Sequence, residues 1–392
     1  MVSGSLCTTW RWMRSLRTAV MEVSNMDEIQ PEQERNLIDL AQQLDTGNML
    51  GYASAFVEDL RNGFDAVNLE AFPWLKDLQG VPWTGVLCLG MGGSAAGGEF
   101  LSTLAAHHGN RPIVVQRDYD LPAWFDASWL VLATSHSGNT EETVQATEKA
   151  LGLGATVIVI ATGGILAGLA ETSEQCYLIP SVGGQPPRTA FGHIFSRQHA
   201  CMESLGVLPK QQAELREAML ERLAQINRQF DVLSDPEGDI ALLAATMMDH
   251  PLSVIGPTEL TPALNRFKNQ INENAARFMR VGVLPEMNHN ESVAWGGIGG
   301  DGDSTNEDHV LLFLTWAQMQ PRVQQRLNWM VAHSPTELAW NLTGEGESLL
   351  EVLLYHCIIM DWLSITLALL HGKNPETVLP IDSLKNHLQS VQ

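Results

Sequence analysis

Three hydroxyl side chains stand close together in a stretch that reads as a loop opening into a helix. They are Ser135, Ser137 and Thr140, at positions i, i+2 and i+5. Hydroxyl donors at a helix N-terminus can surround a compact dianion, since the helix dipole also favours negative charge there. The alternative is an ordinary cap, in which Ser137 or Asn139 satisfies free backbone N–H groups. The spacing therefore predicts either a phosphate cup or a cap.

A second loop with chemical potential is the glycine-rich stretch from Gly90 to Gly98, directly after an apolar run. Glycines permit a tight turn and let the backbone approach a ligand, and the N–H groups of a following helix bind anions. Gly92, Gly93 and Ser94 are the residues expected at the anion. The alternative without a ligand is that these glycines only make a sharp turn.

A sharper rival is a dinucleotide site. Gly90, Gly92 and Ala95 satisfy the GxGxxA fingerprint, and Asp118 follows the next apolar run at a distance suited to a ribose contact. A dinucleotide fold has no use for the hydroxyl cluster in the next loop, however. The two loops together favour a phosphate ligand over a dinucleotide.

The elements that must hold these loops are short apolar runs separated by helix-length segments. Such runs are typical of buried parallel strands. The predicted strands are Val86–Leu89, Ile113–Val115, Leu130–Ala133 and Val157–Ile160. Helices are predicted over Gly93–His107 and Thr140–Leu151. The alternation indicates a doubly wound sheet, whose ligands bind beyond the carboxyl ends of the strands, where both loops lie.

A second sheet is expected after a polar helical segment from Gln211 to Leu233, because Leu252–Ile255 and Val310–Leu314 again read as core strands. The fold class is therefore α/β, with two doubly wound domains, each a mostly parallel sheet between helices. The predicted divisions are an N-terminal extension and helical lead-in at 1–45, a first domain at 46–208 and a second at 209–392. Leu37, Leu40 and Leu44 mark the helical lead-in.

Charge and composition exclude several classes of partner. The 392 residues include 45 acidic and 23 basic side chains, for a formal net charge of -22. This field repels nucleic acid and anionic membranes, so neither is expected as a partner. It also opposes any anionic ligand, which must then be held by short-range donors. The five cysteines form no CxxC pair, which favours a reducing, cytoplasmic location.

Two segments have features of a membrane span or of a targeting signal. The most apolar stretch, Leu349–Leu370, is interrupted by Glu351, His356 and Asp361, so no membrane span is predicted. The arginines in the first twenty residues give a faint resemblance to a transit segment, but no continuous apolar stretch follows. A disordered extension is the preferred interpretation.

These motifs, with others further along the chain, resemble the sugar isomerase (SIS) domain proteins, and within them the bifunctional phosphoglucose/phosphomannose isomerases. The segments that carry the resemblance are Asn48-Met49-Leu50-Gly51, Gly90 to Ser94, Ser135 to Thr143, Pro187-Arg188, Phe191-Gly192, Asn272-Glu273-Asn274-Ala275, Pro285 to Glu291 and Pro380 to Lys385. The resemblance implies two SIS-type domains and interconversion of glucose 6-phosphate, and of mannose 6-phosphate, with fructose 6-phosphate. It implies a cis-enediol intermediate and no metal or organic cofactor.

The resemblance also assigns roles to single residues. Glu273 matches the base that moves a proton between C2 and C1, and Arg188 matches the arginine that stabilises the enediolate. His289 matches a histidine that assists ring opening from the neighbouring subunit, so a homodimer is implied. Lys385 matches a lysine that reaches the sugar, and Thr377 is the candidate for tolerance of both C2 epimers. By pattern alone, Glu273 and Lys385 would be ordinary solvated helix residues.

Other functions remain open from the sequence. A non-catalytic SIS-domain regulator would bind the same phosphosugars, but no basic helix-turn-helix segment is found. A nicotinamide-dependent dehydrogenase would need the dinucleotide interpretation. A zinc-dependent isomerase lacks ligands at metal spacings, since neither His107 with His108 nor His193 with His199 has clustered acids or cysteines. His136 within the hydroxyl loop and the acidic insert from Asp301 to Asp308 depart from the family pattern.

Overall fold

The computed structural model of the chain describes residues 36–296, 302 and 304–391. Most of the predicted N-terminal extension lies outside the described residues, as do Asp301 and Asp303 of the acidic insert. The described part begins with helices, as expected of the lead-in. Leu37 and Leu40 are buried, and Leu44 is partly buried against the core. Asp45 starts the second helix, because its carboxylate accepts the N–H groups of Met49 and Leu50 at 2.7 and 2.9 Å.

The first half forms a five-stranded sheet in the order β2-β1-β3-β4-β5, in which every paired strand is parallel. The strands are β1 (Val86–Leu89), β2 (Ile113–Gln116), β3 (Leu130–Thr134), β4 (Val157–Ala161) and β5 (Cys176–Pro180). The helices are α1 (Leu37–Leu44), α2 (Met49–Ala66), α3 (Leu75–Leu78), α4 (Gly92–His108), α5 (Glu141–Gly152), α6 (Gly164–Thr172) and α7 (Phe191–Ser204). The four predicted strands are confirmed.

The second half forms a four-stranded parallel sheet in the order β7-β6-β8-β9. The strands are β6 (Leu252–Pro257), β7 (Met279–Leu284), β8 (Val310–Trp316) and β9 (Ala339–Gly344). The helices are α8 (Ala213–Gln229), α9 (Asp239–Met247), α10 (Thr261–Asn274), α11 (Glu291–Trp295), α12 (Pro321–Ala332), α13 (Leu349–Leu370) and α14 (Leu379–Ser390). Short 3₁₀ turns cover Thr258–Leu260, Glu286–His289 and Ser304–Asp308. The two-sheet α/β fold is confirmed, whereas the domain boundaries stay a prediction.

Helix α13 is the centre of the second half. Its apolar segment is long enough to cross a membrane, but that segment is 100% buried inside the protein, as in a core helix. Its charged residues have partners: Glu351 accepts from Arg222 at 2.6 Å, and Asp361 pairs with Arg266 at 2.8 Å. Helix α10 packs against both α13 and α4 of the first half. One buried apolar cluster therefore runs through both halves.

Candidate active site

The glycine loop connects β1 to α4 and lies against the segment that carries Arg188. Gly92 has a φ of 50°, in the left-handed region that glycine adopts without strain. A Cβ atom on Gly93 would lie 3.3 Å from the Pro187 carbonyl oxygen and 3.4 Å from the Arg188 Cα atom. The absence of a side chain at Gly93 thus brings the two backbones together, and Ser94 is buried beside them.

The hydroxyl loop follows β3 and is joined to the glycine loop, because the His136 N–H donates to Ser94 Oγ at 3.2 Å. Ser135 is fully buried, and its hydroxyl lies 2.8 Å from the Thr140 hydroxyl. Ser137 is exposed and accepts the N–H of Asn139, outside the helix. Among the described residues, no side chain caps α5 at its N-cap Thr140. Asn139 Oδ1, however, accepts the Ile165 N–H in the first turn of α6 at 3.0 Å. Ser137 and Asn139 thus satisfy backbone N–H groups, as in the cap alternative, although neither caps α5, and the phosphate cup stays a prediction.

The three hydroxyls differ in how a ligand would reach them. Ser135 Oγ also accepts the Gly138 N–H at 3.1 Å, so this hydroxyl shapes the turn. Ser137 is exposed and Thr140 is half-buried, and both are open to a ligand beyond the strand ends. We therefore expect Ser137 to contribute a direct bond to an anion, whereas Ser135 fixes the loop around it.

Ser137→Ala is expected to weaken substrate binding without unfolding the protein. A hydrogen bond to a charged group contributes roughly 1.5–3 kcal/mol, so KM should rise by about tenfold or more while kcat changes little. Steady-state kinetics would measure this. The matched control is Ser54→Ala, at an exposed position on α2, which should leave KM unchanged. An unchanged KM in Ser137→Ala would contradict the assignment.

Arg188 lies in the first half of the chain and bonds residues of the second half, including two near the C-terminal helix α14. Its Nε donates to Asn274 Oδ1 at 2.7 Å, and Nη2 donates to the carbonyls of Pro375 and Glu376 at 2.6 and 2.9 Å. The residue is 6% exposed. A guanidinium held in this way costs little reorganisation when negative charge develops nearby.

Glu273 is the next-to-last residue of α10, and its carboxylate lies 3.8 Å from Nη1 of Arg188. Its side chain keeps 29% exposure, so it is accessible without facing bulk water. Burial raises the pKa of Glu273, although the positive charges of Arg188, Arg266 and Lys385 oppose the rise. A carboxylate with a raised pKa is a better proton acceptor, as a general base requires.

The raised pKa of Glu273 predicts how activity and stability depend on pH. The acid limb of kcat/KM should lie above the usual value of 4.5, because the base must lose its proton. The folded state binds this proton more tightly than the unfolded state. Its contribution to stability is thus present below pH 4.5 and is lost as pH rises through the raised pKa. The stability of the wild type relative to Glu273→Gln should therefore fall over this window, as measured by denaturant unfolding, and an opposite slope would contradict the shift.

Lys385 and Thr377 belong to the C-terminal segment that follows α13. Lys385 is exposed on α14, and its charge acts on the Glu273 carboxylate. Thr377 is exposed and directly follows Glu376, whose carbonyl accepts from Arg188. Both residues are thus brought to the side of the Arg188 and Glu273 pair.

The structure does not bring His289 to Glu273 within one chain. Helix α10 runs from the carboxyl end of β6 back to the amino end of β7, so Glu273 lies at the amino edge of the second sheet. His289 is exposed in the turn beyond the carboxyl end of β7. Six residues of strand separate these edges by about 20 Å at roughly 3.3 Å per residue.

Two polar groups of the site had no role assigned from the sequence. Asn274 bonds Arg188, as described, and its Nδ2 donates to Ser364 on α13 at 2.9 Å. Asp361 accepts from Gln270 as well as pairing with Arg266, which ties α10 to α13. The signal for Asp361 was an acid inside an apolar helical run. Among the residues that the structure describes, no group of three or more His, Cys, Asp or Glu could hold a metal ion.

Comparisons with known proteins place the chain among its relatives. A family described as bacterial phospho-glucose isomerase C-terminal SIS domain matches residues 238–388. The bifunctional phosphoglucose/phosphomannose isomerase of Aquifex aeolicus is 31% identical over 325 residues, which cover 81% of this chain and 95% of the relative. The Caldicellulosiruptor bescii protein of the same name is 30% identical over 319 residues, covering 78% and 90%.

A solved structure supports the fold. The C-terminal domain of glucosamine-fructose-6-phosphate aminotransferase from Francisella tularensis superposes with a TM-score of 0.66 at 13% identity, covering 85% of this chain and 98% of that domain. The likeness at this identity concerns the three-layer α/β architecture. With the sequence identity over nearly the full length of the Aquifex aeolicus relative, the chain belongs to the bifunctional phosphoglucose/phosphomannose isomerase family.

Proposed function

We propose that this protein is an aldose–ketose isomerase that interconverts glucose 6-phosphate, and also mannose 6-phosphate, with fructose 6-phosphate through a cis-enediol. The observation that carries the proposal is the pair of Glu273 and Arg188, 3.8 Å apart, beside loops suited to a phosphate. A base with a raised pKa and a fixed guanidinium are the two groups that proton transfer next to a carbonyl requires.

The phosphate of the substrate would be held at the carboxyl edge of the first sheet. Gly92, Gly93 and Ser94 offer backbone N–H groups and a hydroxyl, and the hydroxyl loop offers Ser137 and Thr140, with Ser135 fixing its turn. The uncapped N-terminus of α5 adds a favourable dipole. This site binds by short-range donors, as a chain with a net charge of -22 requires.

Proton transfer would run through a single carboxylate. Glu273 takes the proton from C2 of the open aldose, and Arg188 meets the negative charge that develops on the enediolate. The O2 hydroxyl proton passes to O1, and Glu273 delivers its proton to C1, which gives the ketose. Lys385 extends the positive potential over the sugar. Thr377 has a small side chain, which would leave room for both C2 epimers.

His289 would open the sugar ring from another copy of the chain, because its own Glu273 lies at the opposite edge of the second sheet. Histidine titrates near neutral pH, so it can pass a proton to or from the ring oxygen. The proposed assembly is therefore a homodimer in which each site combines residues of two subunits. We place the enzyme in the cytoplasm, in glycolysis and gluconeogenesis, with no cofactor and with neither nucleic acid nor membrane as a partner.

The non-catalytic regulator is the less favoured alternative, since the relatives that match most of the chain carry enzyme names. The discriminating test is direct. Purified protein is incubated with fructose 6-phosphate and a chelator, and formation of both glucose 6-phosphate and mannose 6-phosphate is followed. Turnover to either aldose supports the isomerase. Tight binding of fructose 6-phosphate with no product would instead establish the regulator.

A further inference from the structure

His136 stands in the hydroxyl loop and has no role in the proposed chemistry. Its backbone is fixed by both neighbouring loops. The N–H donates to Ser94 Oγ at 3.2 Å, and the carbonyl accepts from the N–H and hydroxyl of Thr162 at 3.0 and 2.7 Å. The imidazole therefore projects from a rigid point at the carboxyl edge of the first sheet.

The imidazole of His136 reaches the segment 181–190 between β5 and α7, because Nε2 lies 3.1 Å from the Gln185 carbonyl oxygen. A carbonyl can only accept, so Nε2 carries the hydrogen and the neutral ring has its lone pair on Nδ1. The Nδ1 atom is buried and has no hydrogen-bond partner among the residues that the structure describes. A second proton would leave an unpaired donor there, which is costly.

The surroundings of the ring act on its pKa in opposite directions. Burial has the largest effect and lowers the pKa of His136, the hydrogen bond to the Gln185 carbonyl raises it, and His193 on α7 lowers it again, so that the net shift is downward. His193 lies 3.0 Å from Asp59 on α2, and Arg197 faces the same carboxylate. The ring thus keeps one tautomer, with its N–H directed at Gln185.

The segment held by His136 leads directly to Arg188. Pro186 and Pro187 lie between Gln185 and Arg188, and the proline rings fix φ at both positions. The Pro186 carbonyl then accepts the N–H and the hydroxyl of Thr189 at 3.0 and 2.8 Å. With few free dihedral angles in between, the position of the Gln185 carbonyl restricts where the Arg188 backbone lies, while Asn274, Pro375 and Glu376 hold the guanidinium.

We propose that His136 is a positioning residue, whose Nε2–H holds the Gln185 carbonyl and thereby couples the phosphate loop to the placement of Arg188. This inference rests on the proposed function, in which Arg188 meets the enediolate. The substrate's phosphate then has a second effect, because the hydroxyl loop that binds the phosphate also aligns the Arg188 guanidinium.

The test compares two variants that differ by one methylene group. Glutamine places an amide N–H near the position of Nε2, whereas asparagine reaches only the position of Nδ1. His136→Asn should lower kcat by about tenfold to a hundredfold, as expected for a misplaced catalytic group, with the Kd for inorganic phosphate nearly unchanged. His136→Gln should recover most of the kcat. His108→Asn is the control, since His108 is exposed at the C-terminal end of α4, at the edge of the first sheet opposite the phosphate loops.

Hydrogen exchange provides a readout that does not need turnover. Peptides covering 181–190 should exchange faster in His136→Asn than in the wild type or His136→Gln, while peptides from β3 stay protected. Wild-type exchange in a folded His136→Asn protein, or faster exchange with no fall in kcat, would overturn the inference. The variant Arg188→Met distinguishes this inference from the proposed function. If Arg188→Met keeps the full kcat, Arg188 does not stabilise the enediolate. Hydrogen exchange alone then tests whether His136 holds the segment 181–190.

Discussion

Glu273→Gln is expected to lower kcat by about 10²–10⁴-fold, the range that a positioned general base contributes. Glutamine has nearly the same shape and still offers an oxygen to Arg188, whose other bonds to Asn274, Pro375 and Glu376 do not involve residue 273. The pocket should thus stay intact and bind sugar phosphate as before. The loss should appear in kcat, because only the proton acceptor is removed.

Two measurements make this expectation specific. In heavy water, the wild type should exchange part of the C2 hydrogen of glucose 6-phosphate for deuterium, whereas Glu273→Gln should not. Isothermal titration should give a similar Kd for both proteins. Glu214→Gln, at an exposed position in the first turn of α8, is the matched control and should keep full activity. A kcat within about tenfold of the wild type would remove Glu273 as the base.

A heterodimer of two inactive variants is expected to regain activity. If each site takes Glu273 from one subunit and His289 from the other, a dimer of Glu273→Gln with His289→Gln contains one intact site and one doubly altered site. With two different tags, this heterodimer can be purified, and it should have about half of the wild-type kcat per dimer, as the symmetry of an isologous pair requires. Each homodimer should have almost none.

The matched control pairs Glu273→Gln with Arg188→Met. These two residues lie in one subunit, 3.8 Å apart, so both sites of that heterodimer carry a defect and no activity should return. Recovery in the control, or no recovery in the test pair, would contradict the shared site. Full activity in a monomer, measured by sedimentation during turnover, would contradict it as well.

The strands that could be predicted from the sequence are mostly those buried on both faces. β1, β3, β4, β6 and β8 are buried throughout, so each appears as a continuous apolar run. β5, β7 and β9 were not predicted, because they are edge strands whose residues are only partly buried. Arg280 and Gly282 interrupt β7, for example. Their apolar pattern is too broken to be recognised without the partner strand.

The site shows a similar division. The glycine and hydroxyl loops were predictable from the sequence. Hydroxyl side chains indicate hydrogen-bond donors, and glycines, which lack a side chain, indicate a close approach of the backbone. The carbonyl partners of Arg188, at Pro375 and Glu376, were not predictable, because every residue has a backbone carbonyl and nothing in the sequence distinguishes these two. The distance between Glu273 and His289 also needed the strand order, which decides the edge of the sheet where each residue lies.

The bonds from Arg188 to the carbonyls of Pro375 and Glu376 have a consequence for biosynthesis. A nascent polypeptide in which residues 375 and 376 are still inside the ribosome has made its phosphate loops but cannot yet seat this guanidinium. Catalytic competence would therefore arise only after these two residues have emerged, and a protease that cuts before Pro375 would leave a molecule able to capture sugar phosphate but unable to convert it.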